Sequence, residues 1–477
     1  MICKVAGLPL RTALCYSVLF TAALWLYSVL WPGAPFMAPD SPGYLAVAQD
    51  LSDLKIDQLH GRAPGYPLLI VLTGSSQSPG RALVLVSLLL HFASIWFLAT
   101  VLHHSGLPET WLNIFGLILL LPPYVEPAGY VLSENLAELV LVTGVVSLIF
   151  WYLNKKIIWI MISAGAFGYA GLTRPMYQLV AVSLAGFLLL GCLSFRWFSV
   201  RWKDAILASM GLICGSILVV GGYALHNYNE FGYFGVVRPK LGLTLSTKTW
   251  RFIERLPDEH AALKTVLMEN RNAELLRANE ASMAIWAAVP ELQKVTGLDY
   301  SQLSAYMLRL NLQLIQNAPL LYLQEVIYAF ASYWFPSSGL LANLNSRLAQ
   351  LVWGILHFVL VGGFAYILIV LFGTAMYKQK SKQSLRFANG DADQELHTIS
   401  VQRFGYTVAG VVVLYTAVIS CLIEVGSPRY RTPTDSLIIF MFFLGTNLWQ
   451  RIAKPVETVR SRCEKVVPTQ ALSQPKQ

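Results

Sequence analysis

Leu8–Leu30, reading LPLRTALCYSVLFTAALWLYSVL, leads through Trp31-Pro32 to a polar motif, Pro39-Asp40-Ser41-Pro42-Gly43-Tyr44. An apolar run of that length crosses about 30 Å of hydrocarbon as a helix. Lys4 precedes it, as in a signal peptide, but no small-residue cleavage site closes it, so it reads as an uncleaved first span. A second motif, Arg62-Ala63-Pro64-Gly65-Tyr66-Pro67, follows before the next apolar run.

The rest of the chain repeats the first lesson. Of 477 residues, 55% are hydrophobic and 13% charged, too little charge to cover a soluble core of that size. The chain is an all-α polytopic membrane protein. Its net charge of +9 sits in short loops and the tail, a sign of topology and not of a nucleic-acid face. The six cysteines (Cys3, Cys15, Cys192, Cys214, Cys421 and Cys463) show neither metal-ligand spacing nor a disulfide framework and read as packing residues.

Apolar runs place spans at 10–30, 81–102, 110–125, 130–153, 157–173, 176–194, 204–225, 346–376, 404–425 and 434–450. With the amino terminus inside, the inner segments hold Lys155, Lys156, Arg196, Arg201, Lys203, Lys378, Lys380, Lys382, Arg386, Arg403, Arg451, Lys454, Arg460 and Arg462. Ten spans with both termini inside satisfy that bias. Residues 66–73 are too short to cross, and 319–335 are interfacial, since a full span there would turn the basic loop 378–386 outward. The expected organisation is a first membrane module, 1–225, with an external loop at 31–80; an external, partly helical domain, 226–335; a second membrane module, 336–450; and a cytoplasmic tail, 451–477, disordered after about 455. In 226–335, Leu303, Met307, Leu310 and Leu314 share a helix face, with Asp299 or Ser301 as its cap.

This topology gathers the notable polar residues outside. Asp40, Tyr44, Arg62 and Tyr66 lie in the first external segment; Glu134 opens the fourth span with Glu138 one turn deeper; Arg174 follows the fifth; Glu424, Arg429, Tyr430 and Arg431 fill the last outer turn. Ionisable groups at membrane depth are expensive, so their collection on one side points to a polar cavity. Two of them have structural alternatives: Asp40 as a favourable charge at the positive end of a helix capped by Ser41 and begun by Pro42, and Arg174 as a snorkelling anchor. His91, His103-His104 and His226 lack ligand spacing, so no metal is assigned, although a divalent ion is compatible with the chemistry. Phosphate-binding loops, dinucleotide fingerprints and serine nucleophile elbows are absent from the sequence.

In order and sidedness these motifs resemble bacterial GT-C glycosyltransferases of the protein-mannosyltransferase and aminoarabinose-transferase type. The resemblance rests on Pro39–Tyr44, Arg62–Pro67, Leu132-Ser133-Glu134, Gly171-Leu172-Thr173-Arg174-Pro175, His226-Asn227-Tyr228-Asn229 with Phe231-Gly232, Asn317-Ala318-Pro319, and Glu424 through Arg429-Tyr430-Arg431-Thr432-Pro433. It departs at Asp40-Ser41, where many members carry Asp-Glu, and in having no appended external domain after the last span. The resemblance implies a GT-C-like helical bundle in a bacterial inner membrane, with its site facing the periplasm. It implies an inverting transfer of a hexosyl or pentosyl group from a polyprenyl-phosphate donor to a lipid, glycan or protein acceptor, with membrane lipids and no nucleic acid as partners. Asp40 matches the catalytic acid, a weak base that takes the acceptor proton late. Arg174, Arg429 and Arg431, with Arg62 behind them, are the donor-phosphate candidates, because a guanidinium binds phosphate at two points. Tyr44, Tyr66, Glu134, Glu138 and Tyr430 are expected to line the cavity or the acceptor site. A secondary transporter or flippase, or a polymer ligase, is the rival reading; a transporter predicts inverted repeats and broken helices.

Overall fold

The computed structural model describes residues 7–30, 33–55, 62–192, 200–276, 284–336, 347–377 and 391–466, without the side chains of 30, 367–368, 370–377, 391–396 and 451–466. Lys4, Cys3, Trp31-Pro32, Arg196, the basic segment 378–386 and the side chains of Arg451, Lys454, Arg460, Arg462 and Cys463 lie outside the described residues. Among the described residues the fold is helical, with no β-strand and one isolated bridge between Phe36 and Tyr130.

Among the described residues six helices are long and apolar enough to cross a membrane, or seven if one bent pair counts as a single span. The six correspond to the expected spans at 10–30, 81–102, 130–153, 204–225, 346–376 and 404–425; those at 157–173, 176–194 and 434–450 fall outside this set, so the count of ten is not reached. The expected span at 110–125 is two helices, Glu109–Leu119 and Pro122–Gly129, bent by 63°. Pro122-Pro123 causes the break: proline offers no N–H and forces the preceding residue out of the helical region, and Leu121 is extended (φ −65°, ψ 147°). Ile157–Thr173 and Val180–Leu190 are shorter than a full crossing. The last helix runs from Pro428 to Val466, so the backbone of 455–466, expected to be disordered, is helical.

Glu134–Asn154 is the hub of the bundle and is buried along most of its length. It packs on Ile157–Thr173, Arg81–His104, Asp391–Ile423 and Pro428–Val466. Small residues permit the closest approaches: Phe167 sits flush against Gly144, while Ser163 donates to Gly144 O (2.8 Å) and Ser216 to Ala164 O (3.0 Å).

A second core, separate from the bundle, joins Leu243, Phe252, Leu263, Leu267, Ile285, Leu292, Leu303, Met307, Leu310 and Leu314. It belongs to helices Leu241–Thr249, Ala261–Leu276, Ala284–Thr296 and Tyr300–Asn317 and to the short 3-10 helix Trp250–Arg255. Asp299 caps the last of these, its side chain accepting from Ser301 N and Gln302 N while Gln302 returns the bond. Trp202–Phe231 leads into this layer and ends at Gly232, whose φ of +72° is the left-handed closure that glycine adopts without strain. Pro319–Tyr333, at 15 residues about 22 Å long, is too short to cross and exposes Leu320, Leu323, Ile327 and Phe330 along one side.

Candidate active site

Two pieces of irregular backbone bring the first motif to the hub helix. Phe36 N donates to Gly129 O (2.8 Å) and Val131 N to Phe36 O (3.0 Å). Ser41 Oγ then donates to Val131 O (2.8 Å), and Tyr44 Oη meets Ser133 Oγ at 3.1 Å. The segment containing Asp40 is thereby stitched to the residues immediately before Glu134.

Glycines let the second motif in. A Cβ on Gly43 would strike the Arg62 side chain, so this glycine leaves the passage through which Arg62 reaches Asp40. A Cβ on Gly65 would strike the backbone of Leu172 and Thr173, and Tyr169 Oη donates to Gly65 O (3.0 Å). Arg62–Pro67 therefore lies directly on the strip that ends in Arg174. Gly426 (φ +70°) plays the same part for the last turn, set against the Ala329 carbonyl.

The result is a chain of charges drawn from distant parts of the sequence. Arg62 Nη2 donates to Asp40 Oδ1 at 2.5 Å, and Arg429 Nη2 lies 2.9 Å from Asp40 Oδ2. Arg429 Nε donates to Glu134 Oε1 at 2.7 Å, and Arg174 Nη1 is 3.3 Å from the same oxygen. Arg62 stands over the Tyr44 ring and Arg174 over that of Tyr430, while Tyr44 and Tyr66 meet edge to face. Three guanidinium groups against two carboxylates leave one positive charge uncompensated in this chain.

Exposure separates the two acids. The Glu134 side chain is 1% exposed, whereas that of Asp40 is 32% exposed and reachable by a ligand. Asp40 holds the cap position of Ser41–Ser52 but makes no capping hydrogen bond; its carboxylate turns to the arginines instead. Burial alone drives this carboxyl upward, but Arg62, then Arg429 and Arg174, overcome it and hold Asp40 at about 2 against an ordinary 3.8. It is a fully ionised, weak base.

Two expected members are elsewhere. Arg431 is 3% exposed, donates to Tyr333 O (2.6 Å), Phe335 O (3.0 Å) and Asp435 (2.7 Å), and so fastens the end of Pro319–Tyr333 to the last helix. Its guanidinium is not presented to Asp40. Glu138 does not extend the acidic face of Glu134: it pairs with His91 Nδ1 at 2.7 Å, while His91 Nε2 meets Leu119 O at 2.9 Å. His91, set aside in the sequence for lack of spacing to nearby acids, is Glu138's partner across helices.

One neighbour of the site was not singled out in the sequence. Burial, then the charge of Arg62, push the ammonium of Lys240, just before Leu241–Thr249, below its ordinary range, and Glu424 and Asp40 act against them. Arg238-Pro239-Lys240 is a short basic cluster. Among the described residues no group of three or more His, Cys, Asp and Glu side chains is arranged to hold a metal ion.

No protein-family model and no curated protein matches the chain. Among solved structures it is similar to the archaeal oligosaccharyltransferase AglB from Archaeoglobus fulgidus, in complex with an inhibitory peptide and a dolichol-phosphate. The TM-score is 0.49 at 10% identity, over 97% of this chain and 52% of that one, so the chain spans about half of that structure's length.

Proposed function

We propose that this membrane protein is a glycosyltransferase that moves a sugar from a polyprenyl-phosphate donor to a hydroxyl of a lipid, glycan or protein acceptor, with Asp40 as its base. The observation that carries the reading is the exposed Asp40 carboxylate held between Arg62 and Arg429. A base and phosphate-binding cations are the two things that displacement of a sugar from phosphate requires.

The acceptor oxygen attacks the anomeric carbon, the bond from that carbon to the phosphate oxygen breaks, and the electron pair leaves with the phosphate. The acceptor proton passes to an Asp40 oxygen. Because Asp40 is weakly basic, this transfer is late, after the acceptor oxygen has lost electron density to the sugar. Donor binding also prepares the base: phosphate competes for Arg62 and Arg429, and each guanidinium drawn from Asp40 raises its affinity for a proton. Glu134, sealed from ligand, keeps Arg429 and Arg174 in place when their other partners change. Displacement in a single step inverts the sugar.

The bend between Glu109–Leu119 and Pro122–Gly129 favours a second reading, a transporter or flippase with a broken helix. Purified protein in proteoliposomes, given polyprenyl phosphates bearing a labelled hexose or pentose and a membrane extract as acceptor, separates the two. Transferase action moves label from the donor to the extract and leaves free polyprenyl phosphate. Movement of intact donor between leaflets without loss of its sugar identifies the transporter instead.

A further inference from the structure

Pro122 and Pro123 break the helix that starts at Glu109, and the break leaves carbonyls without their ordinary partners. The Leu119 carbonyl would accept from the N–H three or four residues on, but both positions are proline and have none. The Leu120 carbonyl loses Tyr124 N, which donates to Leu121 O instead (3.0 Å). Inside a membrane bundle such carbonyls need donors from elsewhere. Two buried side chains supply them: His91 Nε2 meets Leu119 O at 2.9 Å, and Tyr27 Oη donates to Leu120 O at 3.0 Å. The bend is therefore a built feature of the bundle.

His91 also ties the bend to the hub helix, through Glu138 at 2.7 Å. A carbonyl only accepts, so Nε2 carries a hydrogen; Nδ1 then either donates to an ionised Glu138 or accepts from a protonated one. The pair is net neutral in both forms, so it adds no charge to the site and acts on it through position. One turn before Glu138 on the same helix, Glu134 holds Arg429 and Arg174. Beyond the bend, Gly129 and Val131 hold Phe36 and so the segment that leads to Asp40. The hub helix thus sets the cations with one carboxylate and, with the next, the limb that bears the base.

We propose that His91 is a positioning residue of the transfer site, a strut that with Glu138 fixes the bend and hence where Asp40 stands relative to Arg429 and Arg174. This rests on the transferase reading above. His91 is buried with both ring nitrogens engaged, so its effect passes through the backbone it holds. A displaced Asp40 leaves the arginines able to bind phosphate, and the loss falls on the transfer step, where small misplacements are costly.

The test measures transfer from a polyprenyl-phosphate sugar and direct binding of a short-chain polyprenyl monophosphate, both on the full chain in nanodiscs at matched folded amounts. His91→Phe keeps a ring and removes both bonds; it is expected to lower kcat about 10- to 100-fold with lipid-phosphate binding near that of the parent. Glu138→Gln should stay close to the parent, because its amide can donate to Nδ1 while the Nε2 hydrogen still reaches Leu119 O. Glu138→Leu, which cannot donate, should fall with His91→Phe and provides the same comparison if the phenylalanine variant misfolds. Ser94→Ala, nearly one turn along from His91 with its hydroxyl bonded inside its own helix (Leu90 O, 3.0 Å), should change nothing. Equal kcat for the parent, His91→Phe and Glu138→Leu overturns the strut and leaves the transferase reading standing. A loss shared by Glu138→Gln or Ser94→Ala, or one in which binding falls as far as kcat, overturns it too. A parent that neither binds polyprenyl phosphate nor transfers sugar overturns the transferase reading and this inference with it.

Discussion

At the scale of single residues, the account depends on Asp40 being ionised and reachable. Its folded value of about 2 lies below the ordinary 3.8, so the stability it contributes is complete above about pH 4 and is lost as pH falls through about 2. The kcat/KM of transfer, which reports the donor-free protein, should accordingly show no inflection from Asp40 between about pH 5 and 8. An acidic limb in that interval which moves on Arg62→Gln would contradict the assignment. The buried end of the charge chain makes a different prediction. Arg174→Ala leaves Glu134 paired with Arg429 alone and should cost about 1–3 kcal/mol, read as a lower thermal unfolding temperature. Adding Glu134→Gln should recover part of that loss; a fully additive double variant would mean that the two do not interact. Asp40, Arg62, Arg174, Glu134 and Arg429 were all legible in the sequence, because counting spans puts them on one side. Arg431 and Glu138 were not legible in the same way. Their partners, the Tyr333 and Phe335 carbonyls and His91, lie far away in the chain, where helical spacing carries no information.

Among the elements, proline and glycine decide where the helices stop and how closely they meet. The hydropathy of 110–125 reads as one span, and only Pro122-Pro123 betrays the bend, which a window average hides. The close approaches at Gly43, Gly65 and Gly426 were quoted as parts of motifs, but their physical reason appears only once the opposing backbone is known. Gly65→Ala should push Arg62–Pro67 off the Leu172–Thr173 backbone and lower transfer by up to about 100-fold through displacement of Arg62, with the protein still inserted. Gly186→Ala, in a helix with nothing within 4 Å of the new Cβ, should leave transfer unchanged and stabilise by about 0.5–1 kcal/mol. Equal transfer rates for the two variants would show that the Gly65 contact does not position the site.

Across the whole molecule, a helical bundle that carries the group of charges is joined to a second, separate helical core. The membrane character and the helical face at Leu303, Met307, Leu310 and Leu314 were plain from the sequence; the seat of Gly242 on the backbone of Ser304 and Leu308 was not, since those partners lie far along the chain. In a background without native cysteines, Met37→Cys and Lys294→Cys should label from outside, and Lys156→Cys only after permeabilisation, which checks that bundle and layer share the expected sidedness. The central claim is that Asp40 takes the acceptor proton in a sugar transfer, and the most direct measurement is the transfer rate of Asp40→Asn beside the parent, at matched expression and thermal stability, from a polyprenyl-phosphate sugar in proteoliposomes. Asparagine keeps the size and can still accept hydrogen bonds from the arginines, but it accepts no proton. The account predicts donor binding near that of the parent and transfer reduced about 10²–10⁴-fold. Comparable transfer rates for Asp40→Asn and the parent would contradict it.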